Sequence, residues 1–134
     1  MVRMGGGEFI YESYENWAKL PEGWTFREVP DVACGADERV YVFSRGDHKM
    51  VVFDREGNLV DSWGAGLFER PHGVTVDPDG SLLLSFPVAD CRELTRNILS
   101  YGAEVRVIAP PELQILVREE IEQMNRMYSS PDTA

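Results

Sequence analysis

The stretch that decides the fold is VYVFSRGDHKMVVFDREGNLVDSWG, residues 40–64. It holds three apolar runs of strand length, separated by SRGDH and by the tight turn REGN, in which glycine supplies a positive φ. The first run is apolar on both faces, as in a strand buried between neighbours. With Val32-Ala33-Cys34 just upstream, the pattern predicts a four-stranded antiparallel meander, the unit of a propeller blade.

The pattern begins again further along the chain. PHGVTVDPDG, residues 71–80, repeats the order of a short strand and a polar turn at a period near forty residues. We therefore expect about one and a half blades, since 134 residues are too few for a complete propeller. Residues 1–8, with three consecutive glycines, are expected to be a loose leader. Trp17 and Trp24 are expected to cover the core or its edge.

Residues of about 10–80 resemble the NHL-repeat six-bladed β-propellers, and within them the peptidylglycine amidating lyase. The resemblance is carried by VYVFSRGDH, VFDREGN, SWG and PHGVTVDPDG, in that order. It implies a catalytic role for Arg45 and a zinc-ligand role for His72. An arginine stabilises a developing oxyanion, and a neutral imidazole binds zinc.

A catalytic zinc site needs three protein ligands, and the family's other two histidines come from later blades. The remaining histidine of this chain, His48, lies beside Arg45 and not at a family ligand position. We therefore expect no cofactor in a single chain, and zinc only if an oligomer completes the site. Ordinary surface roles for Arg45 and His72 are the alternative.

Residues 81–134 have a different pattern, in which helical segments alternate with strand-like segments. SLLLSFPV, residues 81–88, predicts a strand, and Asp90 with Glu93 predicts the start of a helix over residues 91–101. Residues 103–109 alternate like a second strand, and Pro110-Pro111 begin a second helix. An apolar stripe on that helix is expected to be core; its members are Leu113, Val117, Ile121, Met124 and Tyr128.

Residues of about 79–128 resemble the C-terminal extension of WYL-domain transcriptional regulators. The phrases DGSLLLSFPVAD, ILSYGAEV and APPEL carry the resemblance. It implies a ferredoxin-like α/β unit concerned with ligand sensing and oligomer contacts. The DNA-binding winged helix, the WYL domain and the first strand-helix half of the extension have no counterpart in this sequence.

The fold class expected overall is α+β, a propeller-like β-meander followed by a β-α-β-α ferredoxin-like half unit. The expected domains are residues 1–80 and 81–134, joined at the shared phrase Asp79-Gly80-Ser81. We interpret this join as a recombination between the two families, natural or engineered.

Charge and composition narrow the expected partners. The net charge is −10, so the chain lacks the basic surface that direct nucleic-acid binding requires. Two cysteines without C-x-x-C spacing, and no signal-peptide or membrane-length apolar run, predict a cytoplasmic protein without membrane association. Unpaired blade edges predict self-association.

Three functions are consistent with these residues. The first is a non-catalytic binding or assembly module. The second is a metal-dependent lyase-like enzyme assembled by oligomerisation around Arg45 and His72. The third is a regulator fragment that binds a small-molecule effector through its back half. We expect the first.

Overall fold

The computed structural model describes residues 1–131, in two compact units, Met1–Pro87 and a second that begins at Val88. The first unit is all β and the second is helical, which confirms the α+β class. The strands are β1 (Val2–Gly6), β2 (Phe9–Ser13), β3 (Asp31–Cys34), β4 (Val40–Phe43), β5 (Met50–Phe53), β6 (Leu59–Trp63), β7 (Gly73–Val76) and β8 (Leu82–Ser85). The helices are α1 (Cys91–Ser100) and α2 (Pro111–Ser129), with a 3-10 turn at Gly102–Glu104.

The predicted meander is present as a four-stranded antiparallel sheet in the order β3-β4-β5-β6. All four residues of β5 are buried, because this inner strand is apolar on both faces. One face of the sheet packs Phe43, Met50 and Val52 into a core cluster. The opposite face packs Val42, Val51 and Phe53 into a second cluster. The alternation of side chains along each strand separates the two clusters.

The repeat is visible in the structure. Strands β7 and β8 form a two-stranded antiparallel sheet, and each begins 42 residues after its counterpart, Gly73 after Asp31 and Leu82 after Val40. The turns that join β3 to β4, β5 to β6 and β7 to β8 share one hydrogen-bond pattern. In each, the first turn residue donates its N–H to the carbonyl four positions later, and its carbonyl accepts from the N–H three positions later. The fourth position has positive φ in all three, at Glu38, Gly57 and Gly80.

Each face of the four-stranded sheet is covered within the first unit. Val74, Leu82 and Leu84 of the β7–β8 sheet pack into the cluster around Phe43. The other face is covered by the stretch between β2 and β3, whose tryptophans at positions 17 and 24 were expected to cover the core. Both are part-buried and pack against the second cluster together with Phe26.

Two predicted segments are wrong in the structure. The expected loose leader, residues 1–8, forms β1 and the turn of a β1–β2 hairpin, with Gly5 and Gly7 at positive φ. The strand expected over residues 103–109 is absent from the described chain. Its start is a 3-10 turn and Val105 is extended, but no other strand pairs with this segment. A strand exists only with a hydrogen-bonded neighbour, so alternation alone was insufficient.

The second unit consists of α1 and α2, which contact one another. The Asp90 carboxylate caps α1 by accepting hydrogen bonds from the backbone N–H groups of Arg92 and Glu93, as predicted. In α2 only Leu113 of the apolar stripe is buried, whereas Ile121 and Tyr128 are exposed. The expectation that the whole stripe is core is therefore wrong, because the described chain supplies no cover for the end of this helix.

Within residues 1–131, neither helix combines the length and apolarity that crossing a lipid bilayer requires.

Candidate functional site

Arg45 lies in the loop that joins β4 to β5, and its guanidinium connects three parts of the first unit. Its Nη1 donates to the Glu28 carboxylate at 2.9 Å, and its Nε donates to the Pro71 carbonyl at 3.2 Å. Its own backbone N–H donates to the Glu28 carbonyl at 2.8 Å. The side chain is 36% exposed. The guanidinium therefore ties the β4–β5 loop to the segment before β3 and to the loop before β7.

The loop around Arg45 is compact because it begins with a buried serine. Ser44 is fully buried; its backbone N–H donates to the Lys49 carbonyl at 2.7 Å and its hydroxyl accepts from the Gly46 N–H at 3.1 Å. A side chain at Gly46 would lie 3.3 Å from the Thr25 carbonyl oxygen. The loop thus sits directly against the segment that carries Glu28.

His48, at the end of the same loop, stacks on Trp24. The ring centroids are 3.3 Å apart and the planes are within 10° of parallel. Through this stack His48 contacts Trp24, which itself packs against the core cluster of Val42, Val51 and Phe53. An imidazole held face to face on an indole buries its ring surface while its nitrogens stay at the ring edge.

His72 lies in the loop before β7, and its side chain is exposed. Its backbone N–H donates to the Ser85 carbonyl at 3.0 Å, which extends the β7–β8 ladder by one bond. The structure brings Arg45 to the carbonyl of Pro71, the residue immediately before His72. The two predicted site residues therefore belong to adjoining loops, and their catalytic and metal-binding roles stay predictions.

The zinc hypothesis depends on further ligands beside His72. Across the part of the chain that the structure describes, no three His, Cys, Asp or Glu side chains are grouped to hold a metal ion. Residues 1–131 thus present no group of three ligands, the number that a catalytic zinc site uses.

Asp31 is a connecting residue that the sequence did not single out. One carboxylate oxygen accepts from the Val74 N–H at 2.9 Å, and the other accepts from the Val32 N–H at 2.9 Å. It thus joins β3 to the corresponding strand of the second repeat. Its position at the start of a strand was the available signal, but the 43-residue separation gave no indication of the partner.

Two aspartates in the repeat turns have a lowered pKa. The side chain and backbone N–H of Asn58 hydrogen-bond the Asp54 carboxylate and lower its pKa below the ordinary value of 3.8. In the β7–β8 turn, the hydroxyl and then the backbone N–H of Ser81 lower the pKa of Asp79. Both carboxylates stabilise turns, since hydrogen bonds to the ionised form favour it.

A family model described as the WCX domain matches residues 51–124. WCX is the C-terminal domain of WYL-type regulators. The match begins in β5, within the four-stranded sheet, and continues through most of α2. It therefore starts earlier in the chain than the WYL-type resemblance, which begins near residue 79. No curated protein matches the chain.

Proposed function

The chain belongs to the WCX-domain family, and from that premise we propose that it is a non-catalytic, regulator-associated module that binds further copies of itself. The observation that carries the proposal is the group of large apolar side chains that stay exposed on β1, β2 and α2. Large exposed apolar patches mark interaction sites in soluble proteins. Here they occur on β1, β2 and the end of α2, and include Met4, Phe9, Ile121 and Met127.

The contacts of Arg45 support a structural rather than a catalytic role. Its guanidinium donates from Nε to a main-chain carbonyl and from Nη1 to a carboxylate, which holds the group between two loops. These two contacts account for the position of the side chain without a substrate. We propose that Arg45 aligns the two repeats and that His48 anchors the loop on Trp24.

The propeller-like ancestry of residues 10–80 belongs to the same proposal. It is supported by the 42-residue repeat, by the shared turn geometry and by the Asp31 contact between corresponding strands. In this account a fragment of repeat architecture supplies a β scaffold, and the regulator-derived segment supplies the helices. In this account the scaffold keeps the loops that carry Arg45 and His72, but not the two further histidines that bind zinc in the propeller family.

A zinc titration separates this proposal from the lyase-like alternative. We expect calorimetry of the full chain at micromolar concentration to show no zinc binding that depends on His72. His72→Ala should therefore titrate like the wild type, and Glu69→Ala, an exposed neighbour, serves as the matched control. Stoichiometric zinc binding that is lost in His72→Ala and kept in the control would contradict the non-catalytic proposal.

A further inference from the structure

Trp24 and His48 meet where the β4–β5 loop lies against the segment that precedes β3. Their ring centroids are 3.3 Å apart and their planes are 10° from parallel. Both residues are part-buried, and Trp24 also packs against the core cluster of Val42, Val51 and Phe53. The stack therefore joins an indole that is fixed on the core to a loop residue that can gain a proton.

A backbone hydrogen bond joins the same two segments beside the stack. The Arg45 N–H donates to the Glu28 carbonyl at 2.8 Å, and the Arg45 Nη1 donates to the Glu28 carboxylate at 2.9 Å. Arg45 precedes His48 by three residues, and Glu28 follows Trp24 by four. Because the stack and the hydrogen bond connect the same segments, detachment of the loop opens both. The amide of Arg45 thus reports whether the loop is attached.

His48 is the group in this contact that changes charge near neutral pH. A histidine does so between about pH 5 and pH 8, whereas ordinary carboxylates, lysines and arginines keep their charge there. The face of an indole attracts a cation within about 6 Å of the ring centroid, and the two centroids here are closer than that. Such an attraction changes an equilibrium about two- to five-fold at a partly exposed site. Protonation therefore adds an attraction to a stack that apolar burial already favours.

The other charges of the two segments balance one another. The strand residues beneath Trp24 are apolar. Three basic and three acidic side chains belong to residues 22–28 and 44–49, namely Arg27, Arg45, Lys49, Glu22, Glu28 and Asp47. The Arg45 guanidinium is paired with the Glu28 carboxylate. Because these charges sum to zero, the indole face decides the sign of the effect of a proton on His48.

We propose that the Trp24–His48 stack is a pH-sensitive contact that fastens the β4–β5 loop more tightly when His48 is protonated. The added attraction is present toward pH 5 and is lost toward pH 8. It acts on the loop that carries Arg45, and so on the alignment of the two repeats. This role rests on the anchoring contact proposed above for His48 and is independent of self-association.

Hydrogen exchange of the Arg45 amide in the full chain, followed by NMR at about pH 5.5 and about pH 7.5, tests the proposal. Its protection is compared with that of the buried β5 amides, which report opening of the whole sheet. His48→Phe keeps a ring for the stack and removes the proton. Trp24→Leu keeps His48 and removes the indole face. His72→Gln, which replaces the other histidine of the chain, is the matched control.

We expect the wild-type Arg45 amide, relative to β5, to be about two- to five-fold better protected at the lower pH. The rise should be absent from His48→Phe and Trp24→Leu and kept in His72→Gln; if Trp24→Leu does not fold, His48→Phe decides. Equal or lower protection of the wild type at the lower pH, or a rise that persists in His48→Phe, overturns the proposal. Self-association is measured separately by mass, so such a result counts against the pH-sensitive contact alone.

Discussion

Gly57 and Gly80 hold the same position in two turns of the same geometry, yet their surroundings differ. Both have positive φ, +79° and +85°. A Cβ at Gly57 would lie 1.9 Å from the Trp17 carbonyl oxygen, whereas one at Gly80 meets no atom within 4 Å. The Gly57 turn is also joined to the N-terminal segment by the Lys19 N–H, which donates to the Gly57 carbonyl at 2.8 Å.

The first prediction follows from this pair. Gly80→Ala should cost about 1 kcal/mol of unfolding free energy, the ordinary penalty for a side chain at positive φ. Gly57→Ala should cost about 1–3 kcal/mol more, because the Trp17 segment must also move. Urea unfolding followed by tryptophan fluorescence measures both. Equal losses in the two variants would show that the Trp17 contact is not formed.

The second prediction concerns acid. Asn58 lowers the pKa of Asp54 below 3.8, so the ionised carboxylate stabilises the folded chain. This stabilisation is present above the unfolded value of about 3.9 and is lost as pH falls through the lower folded value. Asp54→Asn should therefore flatten the fall in thermal stability between about pH 5 and pH 2. Glu56→Gln, in the same turn and without a side-chain hydrogen bond among those described, is the control, and an equal flattening there would contradict the account.

At this scale the sequence indicated the turn glycines and the Asp90 cap, because both depend on neighbours within four residues. It did not indicate that Arg45 contacts Glu28 and the Pro71 carbonyl, or that His48 stacks on Trp24. Those partners are 17 to 26 residues away along the chain. Local spacing carries no information about such contacts.

At the scale of elements, the strands of the meander were predictable because each is an apolar run bounded by a turn of known type. The segment 103–109 has the same alternation but stays unpaired in the described structure. Strand β1 was missed for the converse reason. Its glycines favour a turn with positive φ as much as they favour disorder, and its strand partner lies within the same short segment.

The third prediction compares two stripe residues of α2. Leu113 is 3% exposed and Ile121 is 52% exposed. Leu113→Ala should lower the stability of the helical unit by about 2–4 kcal/mol, because it opens a cavity at the start of the helix. Ile121→Ala should change it by less than about 0.5 kcal/mol in dilute solution. Thermal melts followed by circular dichroism at 222 nm distinguish them; equal destabilisation would mean that the end of α2 is packed.

At the scale of the whole molecule, the sequence predicted an α+β chain with a repeat in its front part and a regulator-type segment behind. The WCX match supports the second description and starts at residue 51, inside the four-stranded sheet. The resemblance to the WYL-type extension began at residue 79, so it did not predict that the WCX match would begin 28 residues earlier. The strand sequence VVFD, residues 51–54, lies inside the WCX match, and a buried apolar run of this kind is too general to identify a family by itself.

The central claim is that copies of this chain associate through apolar surface that a single copy leaves uncovered. Light scattering after size exclusion, at a low and a high concentration, tests it most directly. The account predicts a mass that is a multiple of 15.2 kDa at the high concentration and that falls on dilution or stays fixed as a closed assembly. A mass of 15.2 kDa at both concentrations would contradict it.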